Sequence, residues 1–437
     1  MQINQKVAPF RTHEGGIAKR VTPLQQLIRS SLACLLWENS FYEEGEAIAT
    51  RIARLSHEVS ASDLSLLAIK ARSDYKLRHL PLLLANRLVT HPKVEDRSII
   101  SSTIHNIIQR PDELAEFLAM YWNGKRTPIA AQVKKGLASA FTKFDEYSLA
   151  KYNRDKAVKL RDVLFMVHAK PKSSEQAAVW KRLVDGKLAI PDTWETQLSS
   201  GKNKAETFTR LISEKKLGGL ALLKNIRLMA ENGVPRADIR KAILDMKTER
   251  ILPFRFITAA RYNPSYEDVL EESMMSCLKD VEKLPGKTVL LVDVSGSMES
   301  PISNKSDLSR LDAANGIAIL AREICEETSI YTFSSGLKPV APRRGFALRD
   351  AINTSQPHCS TALGHALRNI TEEHDRIIVF TDEQSSDVVP APKKLGYMVN
   401  VAAYENGVAG SGGWTSITGF SEATIKYISE LEKSKNG

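Results

Sequence analysis

The feature that most constrains this chain is a short apolar run that ends in oxygen-bearing side chains. Residues 288–298 read TVLLVDVSGSM, with four consecutive apolar residues at 289–292. A run this short between turn-forming residues predicts a strand that is buried on both faces of a sheet. Asp293, Ser295 and Ser297 follow at its carboxyl end, where open α/β sheets bind their ligands. We therefore expect a parallel sheet with a polar binding loop at this edge.

The same loop is a candidate metal site. One carboxylate and two hydroxyls on alternate residues suit a hard divalent cation that keeps several waters, and Mg²⁺ is the first candidate. Serine is also common in turns, so this motif alone leaves a plain turn as the alternative. Two later residues favour the metal interpretation. Thr361 precedes a helical pattern, and Asp382 comes two residues after another apolar run, so both are expected at the same edge of the sheet.

Residues 287–437 resemble the von Willebrand factor A domain, whose metal-ion-dependent adhesion site has the order DxSxS, then Thr, then Asp. The resemblance implies that Ser295, Ser297 and Thr361 coordinate the cation. It implies that Asp293 and Asp382 act directly or through water. It also implies one open coordination position, which a carboxylate of a partner often fills. Alternating strand and helix patterns in this region independently predict a doubly wound parallel sheet.

Charge is distributed unevenly along the 437 residues. The chain has 61 Lys and Arg against 51 Asp and Glu. Residues 1–286 hold 46 of these cations and 33 of the anions, a net charge of +13, and residues 287–437 hold 15 and 18, a net charge of −3. A basic half joined to a mildly acidic half is typical of proteins that bind a polyanion. Surface lysines that only keep a large helical domain in solution are the alternative.

Cysteine usage and hydropathy indicate a protein of a reducing compartment. The four cysteines lie far apart and form no CxxC pair, which argues against a zinc site and against a disulfide framework. The N-terminal residues lack the apolar core of a signal peptide, and no stretch approaches the length of a membrane span. We expect a cytoplasmic protein that does not enter membranes.

Residues 1–286 are predicted to be helical throughout. Pro111, Asp112 and Glu113 begin one helix with a proline in the first turn and acids at the positive end of the dipole. Two further amphipathic helices are predicted, from about residue 217 to 231 and from Arg236 onward. Successive helices with short turns predict a HEAT-like α-solenoid, although the sequence has no clear repeat period.

Several segments of this helical half carry a more specific resemblance. Residues 66–86 read LLAIKARSDYKLRHLPLLLAN, residues 161–171 read RDVLFMVHAKP, and residues 252–264 read LPFRFITAARYNP. These segments resemble the TROVE module of the Ro autoantigen family, RNA-binding proteins in which TROVE is followed by a von Willebrand A domain. The similar segments are dispersed over most of residues 20–270. We therefore identify the chain as resembling a bacterial or phage Ro protein, with TROVE at 1–286 and the second domain at 287–437.

The Ro resemblance implies a solenoid or ring of helices with a positively charged central hole. That hole would accept the single-stranded 3′ ends of misfolded or defective RNAs. It also implies an outer surface that binds small noncoding Y RNA, and a role in RNA quality control or as a ribonucleoprotein scaffold. In bacteria the family works beside exoribonucleases, so an exoribonuclease is a further expected partner. We expect the protein itself to be a monomer.

Three groups of residues are candidates for RNA binding. Lys and Arg supply salt-dependent phosphate contacts, and aromatic or imidazole faces stack on unpaired bases. The densest group is the basic tract, residues 151–172; its candidates are Lys151, Arg154, Lys156, Lys159, Arg161, His168, Lys170 and Lys172. Lys134 with Lys135, and Arg236 with Arg240, are the other two groups. A solvated helix face is the alternative. Phe165 also lies in the tract, but the pattern LRDVLFMV predicts that it faces a core.

The sequence favours a binding protein over an enzyme. It contains no HExxH, no GxxxxGK[ST], no GxGxxG after a strand, and no Ser, His and Asp in a useful order. One alternative from another functional class is a protein-interaction scaffold that binds acidic ligands through its metal site. A weaker alternative is a chelatase-type subunit that serves an ATPase, for which residues 1–286 offer no counterpart.

Overall fold

Twenty α-helices and six strands make up the regular structure of the residues that the computed structural model describes, namely 10–18, 21–33, 43–302, 308–409 and 412–436. The helices, in chain order, are α1 (Pro23–Leu32), α2 (Gly45–Leu55), α3 (Ala61–Ser73), α4 (His79–Val89), α5 (Ser98–Ile107), α6 (Pro111–Trp122), α7 (Ala131–Phe141), α8 (Glu146–Tyr152), α9 (Leu160–Val167), α10 (Ser174–Val184), α11 (Trp194–Ser199), α12 (Lys204–Ser213), α13 (Gly219–Glu231), α14 (Arg236–Asp245), α15 (Pro253–Tyr262), α16 (Glu267–Met275), α17 (Arg310–Ile324), α18 (Gly345–Asn353), α19 (Leu363–Asn369) and α20 (Ala423–Asn436).

The strands form one mostly parallel sheet. They are β1 (Leu284–Asp293), β2 (Cys325–Phe333), β3 (Leu337–Pro339), β4 (Arg376–Thr381), β5 (Leu395–Asn400) and β6 (Trp414–Thr418), in the spatial order β3-β2-β1-β4-β5-β6. Every neighbouring pair is parallel except β2 with β3. The predicted doubly wound sheet is therefore confirmed, and the predicted strand at 288–293 forms the C-terminal part of β1.

The strand β1 lies at the centre of the sheet because its residues are apolar on both faces. Residues 289–292 are completely buried. On one face, Val289 and Leu291 join a core cluster with Leu363 and Ala366 of α19. The antiparallel edge strand β3, which the sequence pattern did not predict, is only three residues long and pairs with β2. Short edge strands of this kind limit unwanted pairing with other chains.

The chain packs as two compact units. The helical unit is Ala53–Ala242, and the sheet unit combines Met1–Ile52 with Ile243–Gly437. The predicted domain boundary at residue 286 falls inside β1. The compact units differ from the predicted domains because helices that precede and follow the helical unit in the chain pack with the sheet. For example, α15 packs on α17, and Arg261 forms an ion pair with Asp312 at 2.5 Å. The predicted domain limits stay a prediction.

In the helical unit, consecutive helices stack in two rows. Helix α3 contacts α5, α5 contacts α7, and α7 contacts α9, while α4 contacts α6 and α6 contacts α8. This next-but-one packing is the pattern of an α-solenoid, in which each helix pair covers the apolar face of the pair before it. The predicted helical character of this region is confirmed. Within the described ranges, no helix is long and apolar enough to cross a membrane.

The N-terminal part of the sheet unit is attached by buried polar contacts. Arg29 of α1 lies with Nη1 2.8 Å from Oε2 of Glu383, and the two side chains are 3% and 0% exposed. Arg29 also donates to the carbonyl of Ala409 at 2.9 Å. In α2, Arg51 donates to the carbonyl of Ala403. These contacts join the first helices to the loops that follow β4 and β5.

Replacing Arg29 with alanine is expected to destabilise the sheet unit strongly, because Glu383 would keep a buried charge without its partner. Removing one member of a buried ion pair costs about 3–5 kcal/mol. Lys433→Ala is the control, since Lys433 pairs with Glu282 at the surface, where both side chains are more than half exposed, and such pairs contribute about 1 kcal/mol or less. Urea denaturation of both variants measures the difference. Equal unfolding midpoints would contradict the structural role of Arg29.

Candidate functional site

Two aspartates meet at the point where the strand order of the sheet reverses. β1 pairs with β2 on one side and with β4 on the other. Asp293 is the last residue of β1, and Asp382 comes directly after Thr381, the last residue of β4. The crevice outside the carboxyl ends of two such strands is the usual ligand site of open α/β sheets. Both carboxylates are completely buried there.

The three predicted hydroxyl ligands lie in loops that are tied to this crevice. The Oγ atoms of Ser295 and Ser297 are 3.3 Å apart, and both side chains are buried. The amide of Gly296 donates to the carbonyl of Cys359 at 2.9 Å, which brings the loop containing Thr361 against the loop after β1. The amide of Ser386 in turn donates to the carbonyl of Thr361 at 2.8 Å. All five predicted ligands therefore lie at the end of β1 or in loops joined by hydrogen bonds at one sheet edge.

Each carboxylate is held in a different way. Oδ1 of Asp293 accepts from the Ser295 amide at 2.9 Å, and Oδ2 accepts from the Thr381 hydroxyl at 2.6 Å. Oδ1 of Asp382 accepts from the Gln384 amide at 3.1 Å, whereas Oδ2 is buried without a hydrogen-bond partner. Asp293 is thus fixed by two protein donors, and Asp382 keeps one oxygen available.

The electrostatics of the crevice suit a cation. Burial and the neighbouring Asp382 charge raise the pKa of Asp293 to about 7. Burial also raises the pKa of Asp382, although the Ser297 hydroxyl acts in the opposite direction. Two buried carboxylates that repel one another, with one oxygen lacking a donor, are stabilised by a bound positive charge. A polar oxygen buried without a partner is otherwise costly.

The donor set fits Mg²⁺ better than a softer metal. It consists of three hydroxyls and two carboxylates, and the described residues contain no cluster of three or more His, Cys, Asp or Glu side chains that could hold a metal. Mg²⁺ binds through one or two carboxylates together with other oxygens and water. When bound, such a cation supplies an electrophilic position for a further oxygen ligand. Ser295, Ser297, Thr361, Asp293 and Asp382 are the residues that would hold it, the two carboxylates directly or through water.

Residues near the N-terminus approach the same edge, which the sequence patterns did not predict. The hydroxyl of Thr12 donates to the carbonyl of Ser385 at 2.7 Å, and the amide of His13 donates to Oε1 of Gln384 at 2.8 Å. The negative charge of Glu14 contributes to the raised pKa of Asp382. Because about 370 residues separate the partners, no local pattern could have identified them. The glycine at position 16 is the one local sequence signal of this contact, because a Cβ there would lie 2.2 Å from the Ser385 carbonyl oxygen.

All twelve candidate RNA-binding residues lie in the helical unit. This unit contains 34 Lys and Arg against 20 Asp and Glu, a net charge of +14, and the rest of the chain contains 27 against 31, a net charge of −4. The compact units therefore separate the charges slightly more sharply than the predicted boundary does. Lys134 and Lys135 are on α7, Arg236 and Arg240 are on α14, and the basic tract runs from the end of α8 past α9.

The structure divides the cations of the basic tract by their neighbours. Lys156 lies 3.1 Å from Glu116, Lys159 lies 2.7 Å from Asp155, and Arg161 lies 3.8 Å from Asp162. By contrast, three exposed cations of the tract have no ion pair within the described part of the chain, namely Arg154, Lys170 and Lys172. A cation without an ion pair can contact a phosphate without first breaking one.

The aromatic residues of the tract also differ in their surroundings. Arg110 covers the ring of Tyr152 at 4.4 Å, and Lys151 lies 5.8 Å from the ring of Tyr147. His168 ends α9 in the left-handed conformation with an exposed side chain. Phe165 is 59% exposed, so the prediction that it faces a core is wrong. The apolar face of α9 is filled by Leu160, Val163, Leu164 and Val167 instead.

Comparisons with known proteins agree with this architecture. Residues 171–264 match the family model of the TROVE domain. The crystal structure of the Ro (RSR) protein from Deinococcus radiodurans is similar, with a TM-score of 0.59 and 18% sequence identity, over 95% of this chain and 100% of that chain. No curated protein matched the sequence. The predicted resemblance to the Ro family is confirmed for the TROVE segment and for the fold.

Replacing Asp293 with alanine is expected to lower the affinity for Mg²⁺ at least about tenfold, because a cation that takes only one or two carboxylates loses one of two. Glu327→Ala, which removes an exposed carboxylate from β2, is the matched control. Isothermal titration calorimetry with Mg²⁺ measures both variants, and circular dichroism checks that each is folded.

The same Asp293→Ala variant should bind RNA with an affinity within a few-fold of the wild type, because the cationic excess lies in the helical unit. Unchanged Mg²⁺ affinity would contradict the metal site. Lost RNA affinity in a folded variant would show that the metal loops belong to the RNA surface.

Proposed function

We propose that this protein binds RNA in the manner of Ro proteins, through the cationic surface of the helical unit. The observation that carries the proposal is the concentration of positive charge in the unit that contains most of the TROVE match, with exposed lysines that lack carboxylate partners. Phosphate contacts from such lysines give affinity with little base specificity. The protein acts in this proposal as a binding protein and not as an enzyme.

The proposed RNA targets are small noncoding Y RNA and misfolded or defective RNAs that end in a single-stranded 3′ tail. Unpaired ends offer both a flexible phosphate backbone and exposed base faces, and a basic surface with accessible rings suits them better than it suits a duplex. The proposed biological role is RNA quality control or the assembly of a ribonucleoprotein, in the cytoplasm and with an exoribonuclease as a partner.

The proposed role of the sheet unit is to hold Mg²⁺ and to present it to an acidic group of a protein partner. The buried Oδ2 of Asp382 and the three hydroxyls support this part of the proposal. The two functions are separate, since the sheet unit carries a net negative charge while the RNA surface is cationic.

RNA with a single-stranded 3′ tail is expected to bind more tightly than the same duplex with blunt ends. The reason is that the bases of a duplex are already stacked and paired, so only its phosphates are available. Filter-binding titrations of the two RNAs at one salt concentration measure the difference. Equal affinities would overturn the preference for unpaired ends.

Replacing Lys170 and Lys172 together with alanine is expected to weaken RNA binding and to flatten its salt dependence. Each lost phosphate contact lowers the slope of log affinity against log salt concentration by about 0.7–0.9. Lys181→Ala with Lys187→Ala is the matched control, because it removes the same charge from exposed positions outside the candidate set. Titrations at several salt concentrations give the slopes. An equal change in both double variants would mean that only net charge matters.

A second candidate function is that of a protein-interaction scaffold that grips an acidic ligand through the metal site. The partnerless oxygen of Asp382 favours it. Chelation of divalent cations distinguishes the two candidates, because RNA retention on the helical unit should not change when EDTA is added. RNA binding that disappears with the chelator would contradict the separation of RNA binding from the metal site.

A further inference from the structure

Phe165 is an exception among the phenylalanines of the helical unit. The other four, Phe117, Phe141, Phe144 and Phe208, are all buried. Phe165 is 59% exposed, and no ring or cation within the described residues lies against it. A single exposed apolar side chain is common on protein surfaces and needs no explanation by itself. The surroundings of this ring are what suggest a ligand.

The ring lies next to a cation on the solvent face of α9. The buried residues of this helix fill its other face, so Phe165 lies on the solvent side. Arg161 precedes it by four residues, a spacing that places two side chains next to each other on a helix. Arg161 is half exposed, and its ion pair with Asp162 has the long separation of 3.8 Å. His168 follows three residues later, with Lys170 and Lys172 beyond it.

Other aromatic residues of the basic tract are less available for stacking. Arg110 covers one face of Tyr152, and Lys151 lies near both Tyr147 and Tyr152. Their rings already take part in cation–π contacts, which contribute to holding their own cations in place. Within residues 151–172 of the described chain, the exposed rings without such a contact are Phe165 and the smaller imidazole of His168, and Phe165 is the apolar one.

We infer that Phe165 is a stacking platform for an unpaired nucleobase, and that it gives the basic tract its selectivity for single-stranded over double-stranded RNA. Cations attract the phosphates of both forms, whereas an exposed ring can stack only on a base that is not already within a helix. The inference rests on the proposed RNA-binding function and assigns a specific role to one residue within it. A single-stranded RNA is the ligand that fits both features, because its unpaired bases can stack on the ring and its phosphates can contact the surrounding cations.

The central experiment is a double-mutant cycle between the ring and the base. Wild-type protein and Phe165→Ala are titrated with a hairpin RNA that has a 3′ tail of about ten nucleotides, a length that falls within the site sizes of single-strand binding folds. Both are also titrated with the same hairpin whose tail has abasic nucleotides. The abasic tail keeps every phosphate and removes the stacking faces.

Phe165→Ala is expected to lower the affinity for the normal tail by about fivefold or more, the effect of losing one stacked base. Its affinity for the blunt hairpin should stay within twofold, and the salt slope should not change because no phosphate contact is lost. The abasic tail should weaken binding to the wild type and have less effect on binding to Phe165→Ala. This non-additivity is the signature of a direct contact.

Two further variants separate stacking from general apolar contact. Phe165→Trp should retain the affinity for tailed RNA, and Phe165→Leu should lose it as alanine does. Ile190→Ala is the matched control, because Ile190 is an apolar residue of the same unit that is 84% exposed. Substitution of an exposed ring leaves the core of α9 intact, which circular dichroism verifies.

The possible outcomes distinguish the inference from the proposed function. If the wild type binds neither RNA, the proposed function is wrong. If the wild type binds tailed RNA and Phe165→Ala binds it equally well, the inference is overturned and RNA binding stands. Full affinity in Phe165→Leu, or an equal loss for tailed and blunt RNA, would also overturn the stacking role. An equal loss in Ile190→Ala would show a general effect of surface apolarity.

Discussion

The parallel pairing of β1 with both β2 and β4 is the constraint on which the sheet unit depends. Pairing on both edges buries residues 289–292 completely and fixes the carboxyl ends of β1 and β4 side by side. Asp293 and Asp382 are then forced into one buried crevice. Oδ2 of Asp293 accepts a hydrogen bond from the hydroxyl of Thr381, which lies 88 residues away in the chain. The repulsion between the two carboxylates is a consequence of the fold, and a cation is its natural counterpart.

The two compact units differ in how their charged side chains are paired. Outside the metal crevice, the sheet unit pairs buried ions with one another, as Arg29 pairs with Glu383 and Arg376 pairs with Glu432 at 2.8 Å. The helical unit leaves part of its cationic excess exposed and unpaired, notably at Lys170 and Lys172. A buried ion needs a partner because water no longer solvates it, whereas an exposed cation remains free to exchange its counterions for a phosphate. This contrast is the physical basis of the proposed division between metal binding and RNA binding.

The N-terminal residues show how a tertiary contact can extend a site beyond its motif. The turn that contains Thr12 and Gly16 lies against the loop after β4, and Glu14 adds negative charge near Asp382. Glu383, next to Asp382, has a left-handed backbone with φ 62° and is held by Arg29. A strained residue persists only where its surroundings fix it. The geometry of the candidate metal loop therefore depends on helix α1 as well as on the sheet.

The sequence alone determined the helical first half, the parallel sheet and the shared sheet edge of the five predicted metal ligands. Apolar runs and helical periods are local signals, and the edge follows from strand direction. Only the tertiary structure decided which lysines are paired, that Phe165 is exposed, and that Thr12, Arg29 and Arg51 contact the loops of the sheet. In LRDVLFMV the apolar residues outnumber the positions of one buried face, so the pattern could not say which of them faces water. Pairing and exposure depend on neighbours that are distant in the chain, and no local pattern encodes them.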